Sequence, residues 1–244
     1  MNARALSVLP RLPWLCAALV LAGCGGVNIA PTPSLPKALV TKIEARVGVV
    51  IPADQRNFEH SETRGGVPWK ITLGPGHQQY ARAVHAAGFR EVLEFPDLDA
   101  ARAAPGLAAI FEPRIEQYSF ATARETGGEY VAVTIRYRIK LYAPDGGLVD
   151  SFTLTGYGSA EAKGMSGGEP LSVATRSAMR DAAAKFLTQF PAQAVAKQMV
   201  RGEALVAAAV PAAGVALAGG SDLIEAVPVR APRRRAAPAT TASR

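Results

Sequence analysis

Residues 130–142, YVAVTIRYRIKLY, decide the fold. Val131, Val133, Ile135, Tyr137, Ile139 and Leu141 fall on one side of an extended chain, and Thr134, Arg136, Arg138 and Lys140 on the other. Side chains alternate between the two faces of a strand, so the pattern predicts a long strand with one buried and one wet face. That is the mark of an antiparallel sheet. The flanking sequence agrees. Residues 107–120, LAAIFEPRIEQYSF, lead in through RETGG, and APDGG at 143–147 is an Asp-Gly hairpin signal that opens into LVDSFTLTGYG.

Two helices complete the layer. GHQQYARAVHAAGF at 76–89 carries an apolar stripe of His77, Tyr80, Ala81, Val84 and Ala87, with Gly88 at a C-cap position. His77 is expected at the core edge and His85 at the surface. EPLSVATRSAMRDAAAKFLTQF at 169–190 carries a second stripe, interrupted at Pro191 and resuming to Val200. Upstream, KIEARVGVVIP reads as a strand with Val47, Val49 and Ile51 alternating, 53–68 as a polar loop, and WKITL and EVLEF as short strands. The expectation for 42–200 is an α+β domain, roughly β-α-β-β-β-β-α: a mostly antiparallel sheet with two helices packed on one face.

The first 23 residues read as a signal peptide: Arg4 and Arg11, an apolar run from Leu12 to Leu21 too short to span a bilayer, then small residues. The segment ends Leu21-Ala22-Gly23-Cys24, which resembles the lipobox of bacterial lipoproteins. The resemblance implies that Cys24 is lipidated and becomes the mature N-terminus, anchored by several acyl chains. Gly25, where inner-membrane retention would have Asp, implies the outer membrane. Residues 24–41 then read as a lipidated, Gly- and Pro-rich tether. Cleavage removes Cys16, so no disulfide and no thiolate metal site is expected in the domain.

Residues 201–244 read as an Ala-rich and then basic low-complexity tail, expected to be disordered. The formal charge of +7 is concentrated at the ends. Arg4, Arg11, Arg230, Arg233, Arg234, Arg235 and Arg244 lie there without an acid, and the 20 remaining Lys+Arg face all 20 Asp+Glu. A neutral body offers no footprint for nucleic acid.

Residues 164–168, GMSGG, fit the G-x-S-x-G elbow of serine hydrolases. The elbow serine needs a downstream histidine, and His60, His77 and His85 all precede Ser166. The stretch is therefore a loop, and no enzyme and no cofactor is expected. His77 and His85 lack metal-ligand spacing. Glu112 and Glu116 flank Arg114 and read as an ion-pair ladder facing Arg136, Arg138 and Lys140 across the hairpin.

Lipobox, Pro-containing tether, VGVVIPADQR strand, helix, antiparallel meander and C-terminal helix together resemble the YajG-type outer-membrane lipoproteins. More distantly they are similar to the periplasmic domains of LpoB-like and CsgG-like lipoproteins. The resemblance implies a non-catalytic envelope protein that reaches the membrane through its lipid anchor and meets a periplasmic or outer-membrane protein partner. The alternative is a ligand-binding or auxiliary subunit of an envelope lipid or solute transport system, with a cleft between sheet and helices. The candidate partner face is the wet face: Arg136, Arg138 and Lys140, with Tyr130 and Tyr142 near the strand ends.

Overall fold

The structure, a computed structural model, describes residues 26–162 and 168–207. Cys24, Ser166 and most of the 201–244 tail lie outside them. Eight strands are described: β1 (Val27–Ile29), β2 (Ile43–Val50), β3 (Glu59–Arg64), β4 (Val67–Thr72), β5 (Phe89–Phe95), β6 (Ala109–Ala121), β7 (Tyr130–Tyr142) and β8 (Leu148–Glu161). The helices are α1 (Ala53–Arg56), α2 (Gly74–Gly88), α3 (Leu98–Arg102), α4 (Gly168–Gln189) and α5 (Ala194–Val200), with a 3-10 turn at Phe190–Ala192.

The architecture is α+β, and the main sheet has the order β5-β2-β6-β7-β8. The meander β6-β7-β8 is antiparallel as the alternation requires, with Ile135 opposite Tyr118 on one side and Gly156 on the other. The other half is parallel: β2 pairs in parallel with both β5 and β6. The reason is visible in β2, where Val47, Gly48, Val49 and Val50 are all buried, so the strand is covered on both faces and its apolar run is continuous.

α2, α4 and α5 cover one face, and Pro191 ends α4 before α5 resumes on the same side. The core between them holds Val133, Ile135, Tyr137, Ile139 and Leu141 against Ala174, Ala178, Ala182 and Phe186. A smaller core of Val50, Ala101, Leu107, Ile110 and Tyr142 lies on the opposite face, where α3 crosses one end of the sheet.

Three segments depart from the expectations. Residues 53–68, expected as a polar loop, hold α1 and β3, and β3 forms a hairpin with β4 through Gly65 and Gly66, whose φ values of 56° and 78° suit a tight primed turn. Residues 24–41, expected as a tether, are bound to the domain over most of their described length. Val27–Ile29 adds to β4 in parallel, making a three-stranded sheet of order β1-β4-β3, and Pro31 is buried beside α2. Two apolar side chains and a row of main-chain bonds outweigh the flexibility that glycine and proline content suggests. At the other end Leu205, assigned to the tail, is buried against the core.

His85, expected at the surface, is buried like His77. α2 is pressed both by the sheet and by α4, so its buried arc widens from the stripe to include residue 85. The His85 ring packs against Phe89, Phe111 and Phe186.

Candidate functional site

The uncovered part of the meander is the candidate site. Across β6, β7 and β8 the register sets side chains in rows on the face away from the helices: Glu112–Lys140–Ser151, Arg114–Arg138–Thr153, Gln117–Arg136–Thr155 and Ser119–Thr134–Tyr157. A bulge between Ile115 and Gln117 makes this possible. It shifts β6 by one residue, so that Ile115 stays inward before it and Tyr118 after it, with Glu116 pushed out to solvent. The main-chain N–H of Ile115 at the bulge donates to Oε1 of the buried Gln55 of α1 at 2.7 Å, so the irregularity leaves no orphan there.

Arg114 and Arg138 stand directly opposite one another, which by itself repels. Each is neutralised by a carboxylate. Arg138 pairs with Glu116. Arg114 donates to Glu112 at 2.9 Å and also pairs with Asp54 of α1. Burial opposes charge on Arg114, yet these two acids raise its pKa above the ordinary arginine value. The expected ladder is therefore built, with Asp54 as an added rung. Arg136 and Lys140 form no ion pair among the described residues. Arg136 is exposed, and Lys140 is half-buried beside Glu112.

The two tyrosines of the predicted face part company. Tyr130 is 47% exposed at the start of β7. Tyr142 is 9% exposed, roofed by α3 in the smaller core, and its hydroxyl donates to Glu112 Oε2 at 2.7 Å. It holds the ladder from below and offers a partner nothing. A register shift between Leu141 and Tyr142 and the short, weakly periodic α3 cause this, and neither is marked in the alternation. In its place the structure supplies Tyr157, 54% exposed, with Lys185 Nζ 4.7 Å above its ring. Alternation along TLTGYG puts Tyr157 on the same side as Thr153 and Thr155, so the signal was present.

β8 is also a sheet edge, 14 residues long. Its middle is guarded. Asp181 of α4 accepts from the N–H of Tyr157 at 2.9 Å, and Lys185, one turn on, donates to the carbonyl of Thr155 and to Asp181, both at 2.7 Å. Groups that would template another strand are thus occupied at this point.

Buried polar groups sit on the helix side. His77 Nε2 donates to the carbonyl of Pro113 at 2.9 Å, and His85 Nδ1 to that of Ala81 at 2.7 Å. Burial pulls both pKa values down to about 4, so both rings are neutral near pH 7. Tyr80 and Tyr137 stack with ring centres 4.7 Å apart, and burial holds both phenols well above their ordinary pKa. Among the described residues no group of three or more His, Cys, Asp or Glu side chains is placed to hold a metal, and no helix is long and apolar enough to cross a membrane.

No family model and no curated protein matches the chain. Solved structures that it resembles include a neuraminyllactose-binding hemagglutinin homolog, so described, from Helicobacter pylori (TM-score 0.39, 9% identity, 71% of this chain and 98% of that one). Others are the hypothetical protein CT253 of Chlamydia trachomatis (TM-score 0.37, 11% identity, 62% and 99%) and lipoprotein GNA1162 of Neisseria meningitidis (TM-score 0.25, 11% identity, 53% and 93%). At such scores the likeness carries no argument about what this chain does.

Proposed function

We propose that the chain is a lipid-anchored lipoprotein of the bacterial cell envelope, akin to the YajG type, and works without catalysis by docking a protein partner from the periplasmic face of the outer membrane. The observation that carries the docking role is the uncovered meander face. It presents Arg136, exposed and without an ion pair among the described residues, one row along from Tyr157, with Tyr130 further on towards the start of β7, each tyrosine about half exposed. Arginine and tyrosine are enriched in binding hot spots because they combine large contact area with directional donors. The rows of Thr134, Thr153 and Thr155 around them add hydrogen-bonding groups on a rigid sheet.

The anchor is supported by the LAGC segment after an apolar run. Cells fed an alkyne fatty acid should label the wild type and not Cys24→Ala; equal labelling of both would end the lipoprotein reading. For docking, Arg136→Ala combined with Tyr157→Ala should fold, take up the label and lose its main crosslinked species in intact envelopes. Retention of every crosslink would sink the docking role while leaving the anchor standing.

The alternative of a ligand cleft between sheet and helices meets close packing there. A Cβ at Gly156 would stand 2.1 Å from the carbonyl oxygen of Ala178, so the helix backbone rests on the strand. The apolar space that favours a ligand lies instead on the outer side of the helices.

A further inference from the structure

Between α2 and α4, on the side away from the sheet, runs an apolar groove of about 220 Å³. Ala83 and Ala87 of α2 and Ala184 and Leu187 of α4 form its walls, and Leu35 and Leu39 of the N-terminal segment close its third side. The alanines keep both helix surfaces low, which is why a trough remains where larger side chains would meet. Leu39 is 94% exposed at the rim, an apolar side chain with little to cover it.

Among the described residues that line it, the groove has one charge. Arg180 lines it, exposed, and its guanidinium makes a single 3.3 Å hydrogen bond to the carbonyl of Ser34. Among the described residues it pairs with no carboxylate. Thr188 lines the groove eight residues further along α4, about 12 Å away at helical rise. An apolar cavity of about 150 Å³ already takes a benzene-sized guest, and sites for drug-sized ligands start near 300 Å³. This groove therefore suits one slim apolar chain, with a cation at one end to receive an anionic head.

We propose that the groove binds a fatty acid, its chain between the two helices and its carboxylate on Arg180. The inference stands apart from the docking face, which lies on the other side of the sheet. Its test is photolabelling of the full chain in cell envelopes with a diazirine-bearing dodecanoic acid, followed by peptide mapping.

Label should concentrate on peptides containing Leu35–Val40, Ala83–Ala87 and Arg180–Thr188. Dodecanoate should compete it away about tenfold better than dodecanol, the difference expected from one charge-assisted hydrogen bond. Ala184→Trp, at an exposed position that fills the trough, should abolish labelling with its melting temperature unchanged. Arg180→Gln should erase the preference for dodecanoate, and this arm decides the matter if the tryptophan variant fails to fold. Cys24→Ala should label as the wild type does. Label scattered over other peptides, equal competition by dodecanol, or undiminished preference in Arg180→Gln would each overturn the proposal. So would labelling that appears only in Cys24→Ala, which would assign the groove to the chain's own anchor.

Discussion

The two faces of the β7–β8 hairpin are made by the same residues in alternation, yet they are built to different tolerances. On the helix face Gly156 and Gly158 let the α4 backbone approach until an added Cβ would lie 2.1 Å from a carbonyl oxygen at either position. On the other face Thr153 and Tyr157 stand in solvent, and Thr155 is half-buried, beside the cations of β7. The contrast teaches that alternation assigns the faces, and that small residues then set how near the helix layer comes. It also separates two uses of polarity: buried groups held neutral behind the sheet, and charged groups balanced in front of it.

The largest effect should come from the buried histidines. His77 and His85 take up a proton near pH 6.5 when unfolded and near 4 when folded. Between those values the unfolded chain binds more protons, so stability falls as pH is lowered. The contribution is whole above pH 6.5 and gone below about 4, and each histidine accounts for about 3 kcal/mol of it. Urea unfolding followed across that window checks this, and His85→Leu should remove about half of the slope. A flat profile would break the distinction between a neutral and a charged side.

Next, Gly156→Val should cost about 3 kcal/mol or more, because backbone and not a flexible side-chain end blocks the added atoms. Its neighbour on the wet face, Thr155→Val, should stay within about 0.5 kcal/mol. Equal costs in denaturant titrations would mean that the helix can lift away from the strand.

Much of this was legible in the sequence, for a reason that also marks the limit. Periodicity reports burial on one face, so β7, both long helices and the charge ladder could be read directly. It is silent where a segment is half-buried and charged. β3, EHSETR, turns His60, Glu62 and Arg64 inward, with Arg64 paired to Glu62 and Glu125, so nothing apolar announced a strand. It is silent too where cover comes from an element with no periodicity of its own. The five-residue α3 roofs Tyr142, and Val27 and Ile29 pull a glycine- and proline-rich stretch onto the domain. The candidate face was therefore legible in its cations and misread at one tyrosine. The groove was not legible, since its third wall is that same misread stretch.

The smallest effect sharpens the comparison at its core. Tyr137 is buried and its hydroxyl has no hydrogen-bond partner among the described residues, nor has that of Tyr80 stacked on it. Tyr137→Phe removes an unsatisfied donor without opening a cavity, and should raise stability by about 1 kcal/mol. A fall in unfolding midpoint would show that the phenol is satisfied by a bound water, making this pocket polar by design.

The docking of Val27–Ile29 onto β4 fixes a leash length. Gly26 already lies against Pro68, so if Cys24 bears the anchor only residues 24 and 25 are left to pay out. At full stretch two residues reach about 7 Å, close to the depth of one headgroup layer. So anchored, the domain would ride at the lipid surface and could not sweep away from it in search of a partner; whatever it met would have to come within a domain's width of the membrane.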